Sequence, residues 1–359
     1  MGNRAVVIGV LAFAPLLASC SKSTTPTSTH FRVDEVAPGV YAVIQSDPFG
    51  LANHSNSVFI VGDDDVIVVD TQFTLERTRE VLAAIRATTD KPVGVVINTH
   101  WHDDHTFGNQ VYKEAFRSVE IIAQANTKDE IATVAVENRQ RQVAGASAAI
   151  AMFRDAIDKK TAMDGTAMSE DERVAYESTI AIAQEYVGDM ATFQLMLPTK
   201  TFDRSLVLRR GERVVELRYF GPAVTRGDAV VYLPNEGVLV TGDLYDNPVP
   251  FGYGCDVDGW IAALDSLDAL GASVIVPGHG EITRGPDSGM KTLRGYLATI
   301  QTQVRDEVAR GVVPPEVQKQ VVVHSEGTGQ NKMLQFLFDN YFVGPVVGSV
   351  YKEAITPKL

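Results

Sequence analysis

Three histidines and two aspartates stand within six consecutive positions, His100-Trp101-His102-Asp103-Asp104-His105, directly after the apolar run Val93-Gly94-Val95-Val96-Ile97. No other stretch narrows the fold as much. A run this short and rich in valine reads as a buried strand, so the cluster sits on the loop leaving its carboxyl end, where α/β sheets place ligand-binding groups. Crowding imidazoles and carboxylates together is unfavourable unless a cation offsets it, and nitrogen and oxygen donors at this density suit a dication. The bland alternative is a solvated His/Asp turn, which so dense a cluster disfavours.

Strand patterning surrounds the cluster. Phe31–Ala37, Val40–Gln45, Ser57–Val61 and Val66–Val69 read as four short strands, with turn signals at Pro38-Gly39 and Gly62-Asp63-Asp64-Asp65, forming a meander or hairpin sheet. Asp70 ends that sheet and also fits a helix cap ahead of residues 75–85. After the cluster, residues 107–116 read as a helix and 119–123 as a strand, followed by a long helical block over about 127–193. Thr127-Lys128-Asp129-Glu130 and Ser169-Glu170-Asp171-Glu172 each fit a capping box for its helices. The block is either a surface hairpin or a lid or partner surface over the site. Sheet signals return from Lys200, over 201–209, 214–220, 228–233, 237–241 and 273–276, as a second sheet. Residues 289–310 form an amphipathic helix with Leu293, Tyr296, Leu297, Ile300 and Val304 on one face, and 333–341 a further helix.

Residues 1–20 are set apart from the fold. Arg4 gives a positive start, residues 5–17 an apolar run, and Leu17-Ala18-Ser19-Cys20 resembles a bacterial lipobox, so Cys20 is expected to carry a lipid anchor after signal-peptide cleavage. At ~13 residues the run is too short to span a bilayer as a helix. Residues 21–30 read as a polar flexible tether. The expected location is the bacterial cell envelope, facing periplasm or exterior. Beyond Cys20 the only cysteine is Cys255, so no internal disulfide can form and stability must come from a core, for which 45% hydrophobic content suffices. A net charge of -13 opposes nucleic-acid binding and leaves the lipid as the membrane contact.

Four segments in order carry a resemblance: Asp70 at a strand end, His100-Trp101-His102-Asp103-Asp104-His105, Thr241-Gly242-Asp243, and Pro277-Gly278-His279-Gly280. Over about residues 31–311 the chain resembles the metallo-β-lactamase superfamily. The resemblance implies an α/β fold, an αββα sandwich of two mixed β-sheets flanked by helices, with a helical insertion at about 127–193 and a C-terminal helical extension, 312–359, packed on the domain. It implies metal ligands His100, His102, Asp104, His105, Asp243 and His279. His100 and His102 belong to a first site, Asp104, His105 and His279 to a second, and Asp243 bridges them. Asp70 would brace the ligand loop. Zinc, one or two ions, is the implied cofactor, with iron or manganese allowed by the all-N/O donor set. The implied reaction is hydrolysis of a small-molecule substrate, a metal-held hydroxide attacking an ester, lactone, thioester or β-lactam bond. Asp104 or Asp243 would orient that hydroxide, with Asp104 the candidate catalytic residue.

One segment departs. The family pattern Gly-x-x-His-Thr-x-Gly-Asp stands here as Gly221-Pro222-Ala223-Val224-Thr225-Arg226-Gly227-Asp228, and the isopropyl group of Val224 cannot coordinate a metal. The first site is then incomplete, which predicts one tightly bound ion beside a weak or empty neighbour and frees His100 or His102 to act as a general base. A metal-dependent hydrolase leads. A non-catalytic metal-binding envelope lipoprotein follows, and a persulfide dioxygenase stands third because that chemistry needs the three-histidine site this chain lacks. His54, in the loop over the site, is a candidate substrate contact or a solvated histidine; Cys255 reads as a packed or loop thiol; His30 and His324 read as surface residues.

Overall fold

The computed structural model describes residues 28–285 and 289–356, so the expectations for the leader and for Cys20 fall outside the described residues. The first sheet holds strands β1 to β7: Phe31–Ala37, Val40–Gln45, Ser57–Val61, Val66–Val69, Val93–Asn98, Glu120–Gln124 and Lys200–Phe202, in that spatial order. Pairing is antiparallel from β1 to β4 and parallel from β4 to β7. The second sheet holds β8 to β13: Ser205–Arg210, Arg213–Tyr219, Ala229–Leu233, Val238–Val240, Val274–Val276 and Thr283–Arg284, antiparallel except for β11 against β12. Both sheets are therefore mixed.

Three apolar clusters account for the layering. Val58, Ile60, Ile67, Val69, Val95 and Ile97 of the first sheet meet Val215, Leu217, Val231, Val240 and Val276 of the second in a buried apolar seam. Alternate side chains of a strand point to opposite faces, and the outer faces are covered as well. Helices α1 (Leu75–Thr88), α2 (Asp103–Thr106) and α3 (Asn109–Ala115) follow β4 and β5, and Leu75, Val81, Ile85 and Tyr112 cover the first sheet's outer face. On the far side, α7 (Val257–Asp268) and α8 (Met290–Ala309) cover the second sheet through Trp260, Leu264, Leu297 and Ile300. With both faces of each sheet buried, the strands read as near-continuous apolar runs. The arrangement is an αββα sandwich.

Between β6 and β7 lie α4 (Ala125–Ala132), α5 (Val134–Lys159) and α6 (Glu170–Asp189). Ser169 and Glu172 form the reciprocal capping box expected at the start of α6. The matching expectation at Thr127 fails. Helix α4 starts directly off β6, with the Gln124 side chain accepting from Asn126 N–H, so Thr127 lies inside the helix and its buried hydroxyl donates to Gly227 O at 2.7 Å. A second expectation is also corrected: Lys200–Phe202 pairs with β6 and extends the first sheet, because the chain returning from α6 reaches that edge first. After α8 come α9 (Pro314–Gln320), α10 (Lys332–Leu337), a π-helical turn over Phe338–Val343, and α11 (Gly344–Ile355). Phe338, Phe342, Val346 and Val350 from this stretch join the Trp260 cluster. No helix among the described residues is long and apolar enough to cross a membrane.

Candidate metal centre

The centre is built outward from Asp70. This residue ends β4 in the left-handed region, at φ 57°, and is buried. Its Oδ1 accepts from the Thr99 backbone N–H at 2.8 Å, while Oδ2 accepts from Thr99 Oγ1 at 2.7 Å and faces His105 Nδ1 at 2.8 Å. One carboxylate thus fixes the end of β5 and the ring of the last histidine in the cluster. Asp70→Ala should lower unfolding stability by about 3 kcal/mol or more, because it leaves buried donors without an acceptor. Thermal and urea denaturation measure this, and a variant as stable as the parent would show that these bonds contribute nothing net.

The rings of His100 and His279 are likewise oriented by a hydrogen bond on Nδ1. His100 Nδ1 lies 3.0 Å from Thr99 Oγ1, whose own proton goes to Asp70, so His100 Nδ1 carries the hydrogen and Nε2 presents a lone pair. His279 Nδ1 lies 3.1 Å from the His54 carbonyl oxygen and must donate to it. His105 donates Nδ1–H to Asp70. All three leave Nε2 pointing inward, the arrangement by which metal-binding imidazoles are held in one tautomer.

Asp243 sits where these lone pairs meet. It follows β11 in a short 3-10 turn. Its Oδ2 lies 3.3 Å from His100 Nε2 and 3.5 Å from His102 Nδ1, and its Oδ1 lies 3.0 Å from His105 Nε2 and 3.7 Å from His279 Nε2. Asp104 Oδ2 closes the second group, 3.4 Å from His105 Nε2 and 3.0 Å from His279 Nε2. Backbone approach here is close: a Cβ at Gly278 would fall 2.2 Å from Asp243 Oδ1, so only glycine lets β12 pass the carboxylate.

His105 Nε2 and Asp243 Oδ1 are buried, 3.0 Å apart, and yet neither has a partner in hydrogen-bonding alignment. His102 Nδ1 donates to His100 Nε2 at 2.8 Å, since that nitrogen carries the lone pair. The two unpaired atoms, His105 Nε2 and Asp243 Oδ1, are the ones left to meet a further partner. The residues present fit a metal ion: His100, His105 and Asp243 form one group of converging donors, and Asp104, His105 and His279 another.

Charge in the metal-free chain follows from the same crowding. Burial lowers the affinity of His279 for a proton, but Asp243 and Asp104 outweigh it and raise its pKa to about 9. His105 is likewise penalised by burial and then pushed well above the usual range by Asp243, Asp104 and Asp70. Despite burial, Asp104 and Asp243 are held well below the carboxylate range, His105 being the largest opposing influence on each. His102 is lowered by burial and by His100.

Val224 is buried and belongs to the apolar cluster around Ala223 and Trp260. Nearby Asp228 has both oxygens occupied by Thr225, through the backbone N–H at 2.7 Å and Oγ1 at 2.8 Å. His54 is not in solvent, as a loop histidine would ordinarily be. It is 2% exposed, with Nδ1 accepting from the Phe73 N–H at 3.3 Å, and it serves the centre through its carbonyl. Cys255 is a buried thiol whose pKa burial pushes up to about 12, an unreactive setting. His30 and His324 are exposed, and His30 pairs with Glu80 at 2.9 Å.

Two features escaped the sequence. Asp246 lines the pocket and its Oδ1 accepts the His279 N–H at 3.0 Å; burial and the Asp243 charge push its own pKa well up. Its spacing of three from Asp243 was the available signal. Asp103 is held from behind by Arg139 and Tyr186, residues that no local pattern links to it. In front of the centre opens a cavity of about 520 Å³, lined on one side by His102, Asp104, Asp243 and His279. Its other walls are largely aromatic and aliphatic, with Phe49, Trp101, Phe251, Tyr253, Leu337 and Tyr341.

The family model described as the metallo-beta-lactamase superfamily matches residues 51–279. A linear primary-alkylsulfatase of Pseudomonas sp. is 28% identical over 276 residues, which is 73% of this chain but 49% of the relative. Among solved structures, a stereoselective inverting sec-alkylsulfatase from Pseudomonas sp. superposes with a TM-score of 0.62 at 19% identity, over 90% of this chain and 50% of that one. A metallo-beta-lactamase from Pontibacter korlensis superposes with a TM-score of 0.50 at 19% identity, over 75% of this chain and 99% of that one. The chain therefore spans about half the length of the sulfatases it matches and nearly the whole of the lactamase.

Proposed function

The chain belongs to the metallo-β-lactamase superfamily, and from that premise we propose that it is a metal-dependent hydrolase of an ester-type bond in a small amphiphilic substrate. The observation that carries this reading is the division of Asp243, one oxygen toward His100 and His102 and the other toward His105 and His279. A divalent cation held by these groups would supply Lewis-acid polarisation and lower the pKa of water toward neutrality. The chain's residues do the rest. Asp104, at the cavity wall, accepts hydrogen bonds and orients water there; His102, lining the same cavity, can take a proton; Phe49, Trp101, Phe251 and Tyr341 hold an apolar arm and exclude bulk water. Zinc suits the donors, with iron and manganese also allowed.

The relatives of which this chain spans about half are named as alkylsulfatases, which puts a sulfate ester first among the bonds to test, beside carboxylic ester, lactone, thioester and β-lactam. A panel of these five, assayed with zinc-loaded protein, should show turnover of at least one that is removed by chelation and restored by zinc. Turnover insensitive to chelation would sink the reading. The burial of Val224 in apolar surroundings favours a second reading, a protein that binds metal without catalysis.

Metal uptake should depend on pH with a definite sign. The metal-free His279 holds its proton up to about 9, and a dication must expel it. Zinc affinity should therefore rise as pH is raised from 6 toward 9, about tenfold per pH unit for each proton expelled, with the His279 share levelling off above that. Chelator competition at several pH values reads this directly. A flat profile would mean that His279 is not displaced from its proton by the metal.

A further inference from the structure

We propose that Arg139 and Tyr186, from the helical insertion, are positioning residues for the metal-ligand loop, acting through the carboxylate of Asp103. The inference rests on the metal-centre reading above and adds a working role for α5 and α6. Asp103 stands in sequence between His102 and Asp104, and its carboxylate is taken up by side chains of α5 and α6. Arg139 Nη2 lies 2.5 Å from Asp103 Oδ1 and Nε lies 3.2 Å from Oδ2, a two-pronged grip, and Tyr186 Oη donates to Oδ2 at 2.5 Å. All three side chains are buried.

The two grips are themselves fixed. The Arg139 guanidinium lies 4.4 Å from the Phe193 ring centre, and Phe193 stacks on Phe107 at 4.2 Å. The Tyr186 ring stacks on Phe73 at 4.5 Å. Phe107 follows directly on α2, so the insertion clasps the ligand loop at Asp103 and again just beyond His105. A planar guanidinium that grips both oxygens restricts carboxylate rotation in a way that a point charge does not. Because Asp103 is the first residue of α2, its direction sets the start of the turn that presents Asp104 and His105. Asn138 and Gln142 of α5 line the cavity on either side of Arg139 in sequence, so the same clasp registers one cavity wall against the metal loop.

The test compares three variants of the full chain. Tyr186→Phe keeps the stacked ring and removes the hydroxyl; Arg139→Lys keeps the charge and removes the fork; Phe153→Leu loosens the hairpin where Phe153 packs on Tyr176, 14 residues along α5 from Arg139. Zinc affinity by chelator competition should fall about tenfold or more in the first two variants and stay near the parent value in the third. Amide hydrogen exchange across residues 102–107 of zinc-free protein should quicken about tenfold in the first two only. Parent-like zinc affinity in Tyr186→Phe and Arg139→Lys, or an equal loss in Phe153→Leu, overturns the proposal. If the parent itself takes up no zinc, the metal reading fails, and the exchange rates still decide the clasp: unchanged exchange in the first two variants overturns it.

Discussion

Asp243→Ala should strip the protein of tightly bound metal and of any hydrolytic activity while leaving it folded. The carboxylate approaches four imidazole nitrogens, at 3.0, 3.3, 3.5 and 3.7 Å, and no other side chain among the described residues approaches all four. Losing a group that merely orients a ligand already costs ~10 to 100-fold in metal affinity, so loss of the shared carboxylate should exceed about 100-fold. The effect on the metal-free protein runs the other way. Without Asp243 the main influence holding His279 protonated up to about 9 is gone, and burial then favours the neutral ring. Metal content, circular dichroism and an imidazole titration by NMR give the three readouts. A variant that retains the parent metal content would place the ion elsewhere and remove the basis of the proposed chemistry.

Val224→His should change the number of ions. On the proposed match of Val224 to the family's ligand position, the parent is expected to hold about one tightly bound ion per chain. The new imidazole enters an apolar cluster, so the metal-free variant should be less stable than the parent by about 1 to 3 kcal/mol, the usual penalty for forcing a larger group into a packed interior. If the ring reaches an ion with His100 and His102, zinc should restore that loss and more, since binding only to the folded state adds stability by mass action. Zinc content should then approach two per chain and turnover should rise. Two tight ions in the parent would mean that another group completes the first site. One ion and no turnover in either protein would favour the non-catalytic reading.

Much of this could be read from residue order because it is local. Phe31–Ala37, Val40–Gln45, Ser57–Val61 and Val66–Val69 alternate or run apolar between strong turn signals, and the strands fall on those bounds. Five of the six proposed ligands, His100, Asp104, His105, Asp243 and His279, stand in the two groups of converging donors, and each ends a strand or follows one in a compact motif; His102 stands in neither group. Tertiary position was less legible. Thr127 has the spacing of a cap, but a helix that begins directly on a strand leaves no room for one. Lys200 opens a run of strands, yet its first three residues complete the other sheet. Arg139 and Tyr186 lie 36 and 83 residues from Asp103 on helices whose patterning is ordinary, and nothing local announces so long a reach. His54 looked like a solvated histidine because burial of a loop depends on what packs over it, here Phe73 and the residues that follow β4.

That His279 is steadied by the main-chain oxygen of residue 54 has a consequence for redesign. The carbonyl is held in place by the buried His54 side chain, which accepts from the Phe73 N–H, so both the residue at 54 and the count of residues in the segment 46–56 matter to the ring it orients. Libraries that vary Phe49 or Leu51 can remodel the cavity wall while His279 keeps its aim, provided Asn53, whose amide bonds Gly50 N–H and C=O, is kept and the segment is neither lengthened nor shortened. Side-chain diversity at positions 49 and 51 and loop length are thereby separable design variables at this rim.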